Sequence, residues 1–280
     1  MSVAAPNHLS IGPDEVAGNG GRGRFFLLPG SDARARQMAE NFSDLRVYES
    51  PRQLNVYLGT VVHEGRRIDV GSVPTGMGTP SVDIVVTELI QRGARRLLRV
   101  GTAGSLQPDI VRPGDLVIAT AAVRDESTSQ AYAPLEVPAM AHPDWVAALT
   151  AAAKVENMAA RSFAGCVHTK DSLFAREFGQ GPLAGAHKSY VATLTALGVL
   201  ASEMEAAHLF VLGAVHGNNA VSVEGVSATP DVIKCGALLA VIGGESSEKA
   251  AVTERKAVDV ALRALAELFL AEDFGAFSRP

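Results

Sequence analysis

From Arg24 onward the chain alternates short apolar runs with segments whose apolar residues return every three or four positions. The runs read as buried strands near 25–28, 54–62, 67–73, 96–100, 115–123, 162–168 and 237–242. The periodic segments read as helices near 32–41, 80–92, 143–156, 186–196, 203–216 and 247–271. The last is the clearest: Val252, Val258, Ala261, Leu262, Leu265, Leu268 and Phe269 keep a helical period. Strand–helix alternation predicts an α/β protein, a three-layer α/β/α single domain around a mixed, largely parallel central sheet. Residues 1–23 are polar and glycine-rich and read as a partly mobile N-terminal arm, leaving 24–280 as the domain. The stretch 217–230 reads as a loop long enough to be an insertion or lid.

Three strand ends carry candidate chemistry. Leu97–Val100 stops at Gly101-Thr102-Ala103-Gly104, with Arg99 just before the glycines. Phe25–Leu28 stops at Pro29-Gly30, with Asp32 as an N-cap and Arg34 one turn into the next helix. Val70–Val73 empties into Thr75-Gly76-Met77-Gly78, where Thr79 and Pro80 read as N-cap and first helical residue. Glycines let backbone N–H groups approach an anion, and a helix N-terminus offers unpaired donors. Arginine adds a planar cationic fork suited to phosphate. Taken alone, the Arg99 loop is equally well an ordinary strand-to-helix turn with a surface arginine. Its recurrence at two other strand ends favours one composite anion site, since ligands of open α/β sheets sit at the carboxyl ends of strands.

Composition narrows the partners. The chain has 280 residues, 47% of them hydrophobic but only 5% aromatic, which fits helices packed closely on a sheet. A net charge of −5 without a basic tract argues against nucleic acid as partner. Apolar runs are too short for a membrane span, and no signal peptide is visible. The two cysteines, Cys166 and Cys235, imply neither a disulfide framework nor a zinc site, and a cytoplasmic location is expected. His142, His187, His208 and His216 show no metal-ligand spacing, so no metal is expected. Gly18-Asn19-Gly20-Gly21-Arg22-Gly23 fits G-x-G-x-x-G, but it precedes the first strand, where a dinucleotide fingerprint must follow one.

These loops, in this order, resemble the nucleoside phosphorylase superfamily of uridine phosphorylases and hexameric purine nucleoside phosphorylases. The resemblance rests on His8-Leu9-Ser10-Ile11, Leu28-Pro29-Gly30 with Arg34, Thr75–Ser81 leading to Glu88-Leu89, Arg99–Gly104, and Glu203-Met204-Glu205-Ala206-Ala207. Ala133–Ala139 looks like the uridine branch. The resemblance implies a phosphorylase/nucleosidase-like fold and a pentosyltransferase that cleaves a nucleoside with phosphate, most closely uridine to uracil and ribose 1-phosphate. It implies phosphate binding by Gly30, Arg34, Arg99 and Thr102, with Arg52 supplied by a neighbouring subunit. It implies ribose binding by Met204, Glu205 and a neighbour's His8. A homohexamer with sites shared across dimer interfaces follows, with phosphate as co-substrate and no cofactor.

Residue by residue, other roles compete. Ser202–Glu205 fits the capping box S-x-x-E, which by itself favours a capping role for Glu205; the resemblance favours sugar binding. Base recognition departs from the uridine pattern. Gly104, Phe174, Arg176 and Gln180 have suitable chemistry for a base site, but the spacing of the last two differs. Glu245 stands where the purine branch has an acid that protonates the base, and it is a candidate general acid or simply a helix-start carboxylate. Gln53 replaces a glutamate that helps bind a monovalent cation in some uridine enzymes, which puts that site in doubt. The purine phosphorylase, a hydrolytic nucleosidase and a non-catalytic nucleoside-binding protein are the alternative readings.

Overall fold

The computed structural model describes residues 8–217, 232–244 and 246–277, with side chains to 272. Most of the 217–230 stretch and Glu245 therefore lie outside the described residues. The strands are β1 (Phe25–Leu28), β2 (Ser43–Tyr48), β3 (Val56–His63), β4 (Arg66–Ser72), β5 (Arg96–Ser105), β6 (Leu116–Asp125), β7 (Ala139–Met140), β8 (Ser162–Lys170), β9 (Ala201–Glu203) and β10 (Lys234–Val241). The helices are α1 (Pro13–Val16), α2 (Asp32–Ala39), α3 (Thr79–Gln91), α4 (Pro143–Val155), α5 (Ala184–Ala196), α6 (Ala206–His216) and α7 (Ser247–Phe277).

All ten strands form one mixed sheet. β5 runs parallel to β1 and to β10, and its far end turns antiparallel to β9 at Gly104 and Ser105. β10 also pairs antiparallel with β6, β6 parallel with β8, and β8 parallel with β9. Five strands thus close into a ring, from which β1, β4, β3 and β2 extend in that order. Two cores lie on opposite faces. One holds Val85, Val86 and Leu89 of α3 with Leu209, Phe210 and Leu212 of α6. The other holds Met38 of α2, Trp145 and Leu149 of α4, and Val260, Leu265 and Leu268 of α7. The helices therefore form the two outer layers predicted by the alternation.

The differences from the sequence reading have physical causes. Residues 8–23 are packed: Leu9, Ile11 and Val16 are buried, and the Arg92 guanidinium donates to the carbonyls of Leu9 and Ile11. The Gly18–Gly23 run forms a tight turn tied to Asp69 by Asn19 before β1 begins. β2 escapes the hydrophobic pattern because it is an edge strand with five of its six residues exposed. Ser31, not Asp32, caps α2, its Oγ accepting from Arg34 N–H, and Gly78 precedes α3 where Thr79 was expected. The 203–216 segment splits: Ala201–Glu203 is a strand and α6 begins only at Ala206.

Candidate active site

The glycines after Val100 do not form a loop. β5 continues through them to Ser105, because β10 supplies parallel pairing as far as Ala103 and β9 takes over at Gly104. The glycines instead make room above the strand. A Cβ at Gly101 would lie 2.7 Å from Arg99 Nη2, and one at Gly104 would lie 2.6 Å from Glu177 Oε1. A side chain at either position would push these charged tips away from the strand.

Arg99 is the centre of the site. It is buried, its Nε donates to Glu203 Oε2 at 2.9 Å, and its Nη2 pairs with Glu205 Oε2. Its Nη1 is buried without a hydrogen-bond partner among the described residues. A buried charged donor left unpaired costs about 1–3 kcal/mol, so this atom awaits an acceptor. Glu203 holds the other end of the arrangement. It accepts from the backbone N–H groups of Glu205 and Ala206 and from Thr169 Oγ1. Glu203, then, caps α6, and the Ser202–Glu205 box does not form; Glu205 is freed for another task. Burial pushes the Glu203 carboxyl above its ordinary value, Arg99 pulls it back, and neighbouring Glu205 raises it again.

Glu205 links the strand ends. Its Oε1 accepts from Gly78 N–H at 2.7 Å, across the sheet from Arg99. Gly78 belongs to the third glycine loop, where Gly76 takes φ +74 and a Cβ would collide with Ser81. The first loop joins through Gly30: a Cβ there would lie 3.5 Å from Gly76 O and 3.6 Å from Arg34 Nη2. Arg34 and Gly101 line one small cavity of about 10 Å³ with Glu254 of α7. Burial lowers the Arg34 pKa, Glu254 pulls it up, and Arg99 pushes it down. Gly30, Arg34, Gly78 and Arg99 are therefore one cluster from the three stretches of the loop pattern, joined by Glu205 from beyond β9. Thr102 is half-buried on β5 opposite Ala240, and Met204 is half-buried between the two glutamates.

His8 and Arg52 form a second group. Ser50 Oγ donates to His8 O at 3.1 Å and accepts from Arg52 N–H at 3.3 Å, so one serine ties both segments together. Arg52 is exposed. His8 Nδ1 lies 2.6 Å from Glu88 Oε1, and Glu88 also accepts from the N–H groups of His8 and Leu9. This leaves Nε2 as the outward atom of the ring.

The predicted base residues separate. Phe174, on a π-turn over Leu173–Glu177, and Phe178, just past its end, are exposed, with ring centroids 5.9 Å apart. Gln180 is exposed, its N–H bonded to Phe174 O. Arg176 is spent within the chain: Nε and Nη2 reach the Asp125 carboxylate at 2.7 and 2.9 Å, Nη1 lies 2.8 Å from His187 Nδ1, and the guanidinium stacks on Tyr190. Asp125 also meets buried His168, which continues to Ser202. On the same stretch is an ion pair absent from the sequence reading, Lys170 and Glu177, with Nζ 2.5 Å from Oε2. A lysine closing the strand run Cys166-Val167-His168-Thr169 was the available signal. Among the described residues no His, Cys, Asp or Glu group is placed to hold a metal ion, and no helix is long and apolar enough to cross a membrane.

A mixed sheet with two helical layers, carrying a buried arginine between two glutamates at its strand ends, defines an α/β protein built to hold an anion beside a polar ligand. The chain belongs to the phosphorylase superfamily, whose sequence pattern matches residues 24–269. It is 37% identical over 237 residues to the uridine phosphorylase of Treponema pallidum, covering 80% of this chain and 79% of that one. It is 35% identical to the DeoD-type purine nucleoside phosphorylase of Streptococcus suis (strain 05ZYH33), over 79% of this chain and 85% of the other. The fold matches that of Vibrio fischeri ES114 uridine phosphorylase with a TM-score of 0.73, at 24% identity over 95% of this chain and 99% of that one.

Proposed function

We propose that the chain is a nucleoside phosphorylase whose first substrate is uridine, converting uridine and phosphate to uracil and ribose 1-phosphate. The observation that carries this reading is the Arg99 guanidinium, fixed by Glu203 and Glu205 with one buried nitrogen still to be paired. Phosphate oxygens accept from Arg99 Nη1, from Arg34, and from donors around Gly30 and Thr102. Glu205, anchored by Gly78 N–H, accepts from the ribose hydroxyls beside that phosphate. A phosphate oxygen bonds to the anomeric carbon as the bond to the base nitrogen breaks, and the bonding pair leaves with the base. Positioning supplies much of the rate, because nucleophile and sugar are held in one orientation. Preorganised guanidiniums in a water-poor cluster hold the anion without reorganising.

His8 and Arg52, tied together by Ser50, complete the site of a neighbouring subunit, which makes the enzyme a homo-oligomer, assigned as a hexamer built from dimers. Cys166 and Cys235 are free, which fits a reducing cytoplasm. Phosphate is a co-substrate, and the chemistry calls on no cofactor. The uridine assignment draws on the uridine phosphorylases among the relatives. The test is a nucleoside panel with and without phosphate. Phosphate-dependent release of uracil is expected; efficient inosine cleavage without uracil release would favour the purine reading, and phosphate-independent release a nucleosidase.

A further inference from the structure

His168 is fully buried on β8, the strand between β6 and β9, outside the Arg99 cluster. Both of its ring nitrogens are engaged. Nδ1 lies 3.0 Å from Ser202 Oγ on β9, and Nε2 lies 2.9 Å from Asp125 Oδ2 on β6. Asp125 is itself fixed, since Arg176 reaches both of its oxygens. Tyr190 of α5 packs beside the imidazole, with ring centroids 5.9 Å apart. The ring is thus a rigid spacer that ties three neighbouring strands together through side chains.

The strand at its Ser202 end depends on such a tie. β9 has only three residues, Ala201–Glu203, and pairs with two residues of β5 and three of β8. Successive side chains of a strand point to opposite faces. Ser202 is held from one face, by His168 and by Lys170, whose Nζ donates to Ser202 Oγ at 2.9 Å. Glu203 is held from the other, by Thr169 Oγ1 and Arg99 Nε. Glu205 follows two residues on, its carboxylate between Gly78 N–H and Arg99 Nη2. Where Ser202 stands therefore decides where both glutamates meet the guanidinium.

Resting on the phosphorylase reading above, we propose that His168 is a positioning residue for phosphorolysis. Braced on Asp125, it fixes Ser202, and through β9 it keeps Glu203, Arg99 and Glu205 in register with phosphate and ribose. Its burial keeps it from any substrate, so it acts only through that strand. A displacement of about 1 Å at reacting groups costs up to roughly 100-fold in rate.

The test separates the two ring nitrogens. Asparagine places its amide near the Nδ1 position and can meet Ser202. Glutamine reaches the Nε2 position and can meet Asp125, and leucine meets neither. The assay is phosphate-dependent cleavage of whichever nucleoside the wild type cleaves fastest. His168→Leu and His168→Gln should lose roughly 10- to 100-fold in kcat, and His168→Asn should recover most of that loss. Melting temperature should not follow this order, because His168→Asn and His168→Gln each give up one buried contact. In a Ser202→Ala background, His168→Gln should cost little further, since the contact is already gone. A folded His168→Gln enzyme with the wild-type kcat, losses that multiply in the double variant, or a kcat that merely tracks melting temperature across the series overturns this assignment alone. If His168→Gln does not fold, Ser202→Ala carries the same test, and a wild-type kcat in that variant refutes the brace. No phosphate-dependent cleavage of any nucleoside by the wild type overturns the phosphorylase reading and this one with it.

Discussion

Replacing Arg99 with lysine separates charge from geometry. The guanidinium has three faces: Nε donates to Glu203, Nη2 pairs with Glu205, and Nη1 is the nitrogen proposed to take the anion. A single ammonium keeps the charge but cannot hold two carboxylates and an incoming phosphate together. The least it forfeits is one charge-assisted hydrogen bond to phosphate, about 1.5–3 kcal/mol. At about 1.4 kcal/mol per tenfold, that is roughly a 10- to 150-fold fall in kcat/KM for phosphate. Alanine is a harsher change. It leaves Glu203 and Glu205 buried and facing each other, a loss of about 3–5 kcal/mol in stability, on top of a catalytic loss of roughly 10² or more. Initial rates of uracil release against phosphate concentration, at saturating uridine, measure the first effect. Thermal unfolding with and without phosphate shows that the lysine variant is folded and whether it still gains stability from the anion. A folded Arg99→Lys enzyme with the wild-type phosphate dependence would refute the assignment of Nη1, and with it the centre of the site.

Shared sites predict complementation: Arg52→Ala and Arg99→Ala proteins, each inactive alone, should regain some activity when subunits exchange, and a fully active monomer in light scattering would count against the assembly. Burial holds His142 and His208 below their ordinary pKa of 6.5, so their contribution to stability is complete above pH 6.5 and drains away as pH falls toward the folded values. His142→Asn retains an acceptor at the N-cap of α4, where Nδ1 now accepts from Asp144 N–H, and should flatten the acid fall in melting temperature; an unchanged slope would exclude His142 as a cause. Gly76→Ala forces a side chain into φ +74 and to within 2.3 Å of Ser81 Oγ; a loss of at least about 1–2 kcal/mol in urea unfolding is expected from the backbone conformation alone, with weaker uridine binding because the same loop presents Gly78 to Glu205.

The legible part of the molecule was the part written as local pattern. Buried strands such as Phe25–Leu28 and the heptad-like face of α7 follow from hydrophobic spacing, and the order of the glycine-bearing strand ends revealed that Gly30, Arg34 and Arg99 converge. What stayed hidden depends on tertiary pairing. The extension of β5 through Gly101–Gly104 is invisible locally, since glycines read as a loop until β10 and β9 supply partners. The same holds for the three residues of β9, which look like the start of a helix. The S-x-x-E spacing pointed to Glu205 as a cap, but Glu203 reaches the backbone donors first because the strand delivers it there. Arg176 has the right chemistry for a base, and only the fold shows that Asp125 claims it. Ser50 had no sequence signal at all; its tie between His8 and Arg52 joins segments far apart along the chain.

The division of labour between strands and the π-turn has an evolutionary corollary. Arg99 and Glu205, the proposed phosphate and sugar groups, stand on or beside the closed ring of strands, where any change disturbs several neighbours. Two of the residues that the resemblance assigns to the base, Phe174 and Arg176, lie on one short turn, Leu173–Glu177, hung between β8 and α5. Such a turn can drift while the chemistry beneath it stays constant. Overall similarity then becomes a poor guide to diet: this chain is 37% identical to one relative named for uridine and 35% identical to another named for purine nucleosides. The sequence of that turn, more than that of the whole enzyme, is therefore where a change of base preference between such relatives is to be sought first.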